Sequence, residues 1–161
     1  MNRRHMPLLG AAFAIGLTLG AAPASGMESF SAPPAAKARD TRLVDAEKAV
    51  KAGDWNKAIM LLDRVVADNP RDADAYNYLG YSYRKLGNRD QALAHYMRAL
   101  DIDSNHRGAL EYLGELYLDM NDLPKAEEML GRLSRVCGPR CAEYRELRDG
   151  IEKFRSGRPR S

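Results

Sequence analysis

The sequence of 161 residues is poor in the side chains on which active sites and metal centres usually depend: two cysteines, three histidines and one tryptophan. Beyond His5 the histidines are His95 and His106, and no Cys₂His₂ spacing exists, so a zinc site has no ligand set to use. There is no glycine-rich phosphate loop, no serine elbow and no His-Glu metal helix, and the acidic residues fall where solvated helices carry them. Neither an enzyme nor a cofactor is expected. Alternating apolar and polar runs are also missing, which excludes strands of any length. Charge of one sign is scarce too, since 25 basic residues face 22 acidic ones mixed along the chain, without the concentrated basic face that nucleic acid requires. What remains is 45% hydrophobic and 29% charged residues, an ordinary composition for a folded soluble domain.

The first residues differ from the rest. MNRRHMPLLGAAFAIGLTLGAAPASG carries Arg3 and Arg4, then an apolar run from Leu8 to Ala22, and no acidic residue. Positive end, apolar stretch and small-residue exit at Ala22-Pro23-Ala24 make an export signal over 1–24, with cleavage expected after Ala24. An uncleaved anchor is the alternative, but the run is near the lower limit of about 17 residues for a spanning helix and holds Gly10, Gly16 and Gly20. No stable membrane span is therefore expected after cleavage, and the periplasm is the expected compartment. No cysteine stands at the cleavage point for a lipid, and the residues after Arg3-Arg4 fit twin-arginine export poorly. Removing 1–24 takes away two positive charges and no negative ones, so the balance moves from 25 against 22 to 23 against 22.

Residues 25–39, with Pro33-Pro34 and no apolar period, read as a flexible leader. From Asp40 the pattern is helical, with helices expected over about 41–52, 55–68, 73–86, 89–102, 107–120, 123–136 and 140–155. Gly53-Asp54, Gly87-Asn88 and Asn121-Asp122 recur at a spacing of 34 residues. Each offers a residue that tolerates the left-handed backbone to end one helix and a side chain to cap the next. Asn69-Pro70 closes the second helix, because the residue before proline disfavours the helical region.

The same period of 34 returns Leu79-Gly80 as Leu113-Gly114, Tyr83 as Tyr117, and Ala58 as Ala92 and Ala126. Written as helix A, turn, helix B, this sets Gly80 and Gly114 midway along A and the alanines early in B, so that small residues facing each other let the axes approach. Around them stand Tyr76, Leu79 and Tyr83 with Tyr96, Leu100 and Ile102, then Leu110, Leu113 and Tyr117 with Leu130, Leu133 and Val136. One hairpin cannot bury both its faces, so the hairpins must stack.

These residues resemble the tetratricopeptide repeat family, which carries Leu-Gly and Tyr in helix A and Ala then an aromatic in helix B. The resemblance implies an all-α fold, a right-handed α-solenoid of about three repeats with a C-terminal capping helix. Residues 73–106 match closely. Residues 107–140 match with Leu130 for the aromatic and Gly138 in place of proline. Residues 39–72 match in helix B through Ala58, Leu62, Val65 and Pro70, while Arg42, Asp45 and Ala46 replace the aromatic, Leu and Gly, as is common in terminal repeats. Residues 141–155 supply the cap, through an apolar stripe of Tyr144, Leu147, Ile151 and Phe154, and 156–161 form a basic tail.

In the family the A helices line a concave face that commonly holds an extended peptide or partner helix. By matching positions that face presents Asp40, Leu43, Glu47 and Lys51, then Asp74, Asn77, Tyr81, Arg84 and Lys85, then Glu111, Glu115, Leu118 and Asp119. Asn77, Tyr81 and Arg84 are a turn or less apart and unused by the repeat packing, which makes them, with Lys85, Glu111 and Glu115, the expected partner contacts. Glu111, Glu115 and Asp119 form an acidic stripe that disfavours a partner ending in carboxylates. The family's carboxylate clamp needs Lys and Asn where this chain has Leu43, Glu47, Tyr78, Gly108 and Tyr112.

Cys137 and Cys141 bracket Gly138-Pro139 where the third repeat meets the cap. An oxidising compartment would allow a disulfide between them; two free thiols, or a metal or redox site, are the other readings, and C-x₃-C is not the C-x-x-C of thiol oxidoreductases. Trp55 is expected as a packing residue, and His95 on a helix surface. The expected function is an exported, non-catalytic module binding a protein or peptide. The alternative is an assembly factor of a cell-envelope complex acting through self-association or through its cap and basic tail.

Overall fold

The structure, a computed structural model, describes residues 40–157. The signal 1–24, the leader 25–39 and the tail from 158 onward lie outside these described residues. Seven helices follow one another: α1 (Thr41–Lys51), α2 (Trp55–Asp68), α3 (Ala73–Lys85), α4 (Arg89–Ile102), α5 (Arg107–Asp119), α6 (Leu123–Val136) and α7 (Ala142–Arg155). The described residues contain no strand. None of their helices is long and apolar enough to cross a membrane.

The helix ends follow from local chemistry. Asp54, Asn88 and Asp122 each accept a hydrogen bond from the backbone N–H three residues on, satisfying one of the donors that the first turn leaves open. Just before them Gly53, Gly87 and Asn121 take φ of 75°, 79° and 58°, and the N–H of each cap reaches back to close the preceding helix, from Asp54 to Ala49, Asn88 to Tyr83 and Asp122 to Tyr117. Three A-to-B turns thus share one geometry. The cap of α5 is a histidine: His106 Nδ1 accepts the Ala109 N–H at 3.0 Å. The last helix begins at Ala142, two residues later than the apolar period suggested, because Cys137 and Cys141 are joined by a disulfide, with their Cα atoms 5.9 Å apart, and Cys141 becomes its N-cap.

Helices α1, α3, α5 and α7 form one layer of an α-solenoid, each touching the next, while α2, α4 and α6 form a second layer in which each helix sits against the A helices before and after it. The core runs between the layers. Leu43, Ala46, Ala49, Ala58, Leu62, Val65, Ala75 and Leu79 fill the first part, and Tyr96, Leu110, Leu113, Leu116, Leu133, Leu147 and Ile151 the second. Tyr76 and Tyr83 pack on both. In the divergent first hairpin, buried Ala46 takes the place of the repeat glycine, and Arg42 ties Asp40 to Asp68 across the two helices at 2.6 Å each.

The role of the repeat glycines needs correction. A Cβ built at Gly80 meets the Tyr96 ring at 2.6 Å, and one built at Gly114 meets Leu147 at 2.5 Å. The glycines therefore make room for one large side chain, from α4 in one case and from α7 in the other, and not for a facing alanine. At Gly114 Leu147 of the cap occupies the place that the Tyr96 ring holds at Gly80. Leu43 and Leu118, assigned to the concave face by position, are core residues: Leu118 lies under α7 with a methyl 3.4 Å from the Cβ position of Gly150, and Leu43 packs with Leu62 and Val65.

Candidate functional site

The exposed face of the A-helix layer carries three hollows. The first, about 580 Å³, lies between the α1–α2 turn and helices α3 and α5, and is walled by Val50, Lys51, Trp55, Tyr78, Tyr81 and Tyr112. Tyr81 is at its centre: Trp55 meets it edge-on at 5.8 Å between ring centres, Tyr112 lies tilted at 4.9 Å, and Lys85 Nζ sits 5.1 Å above its ring. These rings are half-buried. Trp55 packs, as its place at the start of a B helix suggested, but it packs as a wall of this hollow. Nothing in the periodicity pointed there, since the contact depends on the turn over 69–72 folding α3 back beside α2.

The second hollow, about 460 Å³, is lined by Arg84, Lys85, Glu115, Asp119, Glu146, Asp149 and Lys153. Arg84 is its organising charge. Only 14% exposed, it gives Nη1–H to Glu115 at 2.5 Å and Nε–H to Asp119 at 2.7 Å. Burial works against its charge, but the carboxylates of Glu115 and Asp119 outweigh that, and its pKa is raised. The acidic stripe expected along α5 is therefore not a free one. Two of its members are neutralised from the neighbouring A helix, 31 and 35 residues earlier, a pairing that helical spacing within α5 cannot show. Beneath Arg84 lies Tyr96, fully buried, its hydroxyl without a hydrogen-bond partner and its pKa pushed up by burial.

The third hollow, about 400 Å³, is formed where α3, α5 and the start of α7 converge, and shares Tyr78 and Tyr112 with the aromatic one. Asn77 and Glu111, expected as open contacts, are only 5% and 4% exposed and lie in its wall. Asn77 lies where α5 crosses close over α3 at Gly108, whose missing side chain leaves its amide 3.2 Å from the Cβ position, while Glu111 lies against Glu143 and Glu146 of α7. The pKa of Glu111 is pushed up to about 9, first by burial, then by a hydrogen bond with Glu146 and the nearby charges of Glu146, Glu115 and Glu143. At neutral pH this carboxyl is protonated. His106 bridges α3 and α5: with Nδ1 accepting from Ala109, the ring proton sits on Nε2 and is given to Asp74 at 3.1 Å.

Of the expected contacts, Tyr81, Arg84, Lys85 and Glu115 thus border the open face, while Asn77 and Glu111 are recessed. Tyr78 and Tyr112, set aside at sequence level as occupants of clamp positions, are the side chains common to two hollows. His95 is not a plain surface residue: it stacks on Tyr83 at 5.2 Å and on Tyr76 at 6.0 Å, and burial lowers its pKa. Among the described residues the one group of His, Cys, Asp or Glu side chains close enough to hold a metal is Cys137, Cys141 and Glu143, and its two sulfurs are engaged with each other.

A family model described as "Anaphase-promoting complex, cyclosome, subunit 3" matches residues 51–133. Over 94 residues, 58% of its length, the chain is 30% identical to the probable biofilm formation methyltransferase WspC of Pseudomonas putida, of which the match spans 22%. The chain thus covers about a fifth of that relative. Two solved structures share the fold. The first TPR of Spaghetti (RPAP3) bound to an HSP90 peptide superposes with a TM-score of 0.65 at 15% identity, over 73% of this chain and 90% of that one. PcrH in complex with the chaperone binding region of PopD gives 0.64 at 20% identity, over 73% and 90%.

Proposed function

Because the chain belongs to the tetratricopeptide-repeat family, through the group described as "Anaphase-promoting complex, cyclosome, subunit 3", we propose that it is a non-catalytic binding module whose A-helix face receives an extended peptide or protein partner. The observation that carries this reading is the aromatic hollow of Trp55, Tyr78, Tyr81 and Tyr112. Large half-buried rings offer apolar area at little cost in side-chain entropy, and such anchors dominate protein recognition. Similar structures hold an HSP90 peptide or the chaperone binding region of PopD, which supports a peptide as the kind of partner this fold receives. This chain lacks the Lys and Asn of the carboxylate clamp, with Leu43 buried and Glu47, Tyr78, Gly108 and Tyr112 at the other positions, which disfavours an acidic chaperone tail as its ligand. The scaffold itself leaves the partner open.

Export completes the proposal. Arg3-Arg4, the apolar run 8–22 and Ala22-Pro23-Ala24 support delivery to the periplasm with cleavage after Ala24. A link between Cys137 and Cys141 fits an oxidising compartment. Assembly through the cap is the weaker reading, because Leu147 and Ile151 are spent on α5 and α6 and the outer face of α7 is charged.

Two measurements test this. Mass spectrometry of the protein recovered from its native cells should show an N-terminus at Ser25; a retained Met1 in a cytosolic fraction contradicts export. Crosslinking in the cell envelope should retrieve a partner with the parent chain and lose it with Tyr81→Ala. An unchanged partner set in that variant contradicts the concave-face reading.

A further inference from the structure

The third hollow contains an unmet requirement. Asn77 Oδ1 is buried and accepts no hydrogen bond, although a buried amide oxygen without a donor costs about 1–3 kcal/mol. Around it the charge is negative. Asp74, Asp103 and Glu143 enter the wall, with protonated Glu111 beside them, against one cation, Arg107, whose Nε stands 3.5 Å from Glu143. The neighbouring Tyr78 and Tyr112 add ring faces, which attract cations. Gly108 keeps the space open, since a Cβ there would press on Asn77 Nδ2 at 3.2 Å.

We propose that this hollow is a subsite for a guanidinium group, the side chain of an arginine in the bound partner. A metal ion is the poorer occupant: these carboxylates do not converge within metal-binding distance of one another, and about 400 Å³ is far more than an ion fills. A guanidinium is planar and carries five N–H donors, so it pairs with several carboxylates at once and stacks on aromatic rings, and a turn of the Asn77 amide towards the hollow would let it take the unpaired oxygen as well. The subsite rests on the concave-face reading and deepens it, because Tyr78 and Tyr112 wall both hollows, so neighbouring residues of one extended peptide reach both.

Glu111 supplies a second signature. Its surroundings are Glu115 and Tyr112 on its own helix, Glu143 and Glu146 from α7, and Asn77 and Asp74 from α3. It holds a proton at neutral pH chiefly because it is buried, with the hydrogen bond to Glu146 and the neighbouring glutamates adding to the effect, while Arg107, the cation in the same wall, is turned to Glu143. A guanidinium placed there favours the carboxylate, so binding at pH 7.5 releases up to about one proton.

The test titrates the ¹⁵N-labelled full chain with N-acetyl-arginine amide and with its neutral isostere N-acetyl-citrulline amide. The arginine compound should saturably shift the Asn77 side-chain amide and the Gly108 and Glu111 backbone amides, and the citrulline compound should bind about tenfold more weakly or less. Calorimetry in two buffers of different ionisation enthalpy should report the released proton, which Glu111→Gln abolishes. Gly108→Ala, which favours the helix while narrowing the hollow, should weaken arginine binding by a similar factor. Equal binding of the two amides, or parental binding by Gly108→Ala, overturns the subsite. If the arginine compound shifts nothing here while Tyr81→Ala still loses the partner, the subsite alone falls. If it binds here while Tyr81→Ala keeps the partner, the aromatic reading falls and the subsite stands.

Discussion

Replacing Gly80 with alanine isolates the contact on which the stacking rests. In most helix interiors this change stabilises, because alanine has the higher helix propensity by about 1 kcal/mol. Here the new Cβ lies 2.6 Å from Tyr96 Cδ1 and Cε1 and 2.9 Å from Cγ, well inside ordinary contact distance. The ring is fully buried and aromatic, so it cannot fold aside as the end of a flexible chain would. It or helix α3 must shift, and overpacking of that kind costs about 1–3 kcal/mol. The net expectation is a loss of up to about 2 kcal/mol, each kcal/mol lowering the melting midpoint by roughly 4–8 °C in a domain of this size. Gly131→Ala is the internal control, because its nearest neighbour is Arg135 Nη1 at 3.8 Å, so propensity acts alone and stability should rise by about 0.5–1 kcal/mol. Urea and thermal unfolding followed by circular dichroism measure both. In a Tyr96→Leu background the cost of Gly80→Ala should vanish, giving a coupling of about 1 kcal/mol or more. A Gly80→Ala variant that gains stability as Gly131→Ala does, or that shows no coupling to Tyr96→Leu, refutes the reasoning.

The raised pKa of Glu111 has a definite sign in stability. Between its ordinary value of 4.5 and about 9 the folded chain binds a proton that the unfolded chain does not, so this contribution is complete below 4.5 and is lost as pH rises towards 9, at up to about 1.4 kcal/mol per pH unit. Glu111→Gln should flatten the parent's decline in urea midpoint from pH 5 to pH 9; an unchanged slope contradicts the assignment. Arg84→Ala leaves the Glu115 and Asp119 carboxylates without their shared partner and should cost about 1.5–3 kcal/mol, with Arg84→Lys recovering only part because one ammonium cannot reproduce the two-pronged contact. Equal stability of the lysine variant and the parent, by urea unfolding, would show that the fork does not matter. Cys141→Ser opens the loop closed with Cys137 and should lower stability by about 2 kcal/mol while the helical circular dichroism signal stays within error; an unchanged midpoint argues that the link adds nothing.

The order and extent of the helices were legible because they rest on local chemistry. Asp54, Asn88 and Asp122 cap by their own side chains, and Gly53, Gly87 and Asn121 reverse the chain by their own backbone freedom, so the period of 34 residues carries the information. The all-α stack follows from it. What the period could not convey is how neighbouring hairpins meet. Arg84 reaches Glu115 and Asp119 across one repeat, and Leu147 enters the space at Gly114 from the cap, contacts fixed by helix crossing. Asn77 and Glu111 looked exposed because their positions in the repeat are open, but the absence of a side chain at Gly108 lets α5 close over Asn77, and α7 comes in beside Glu111. Tyr78 and Tyr112 were legible only as departures from a clamp, and their value as walls appears once α3 and α5 lie side by side.

Site-specific photocrosslinking measures most directly whether the A-helix layer is the recognition face. A benzophenone residue placed at position 81 should join a partner in the native envelope, while one at position 97, exposed on α4 in the other layer, should join none or only neighbours common to both sites. A partner captured at 97 and absent at 81 would move recognition to the opposite layer and contradict the account.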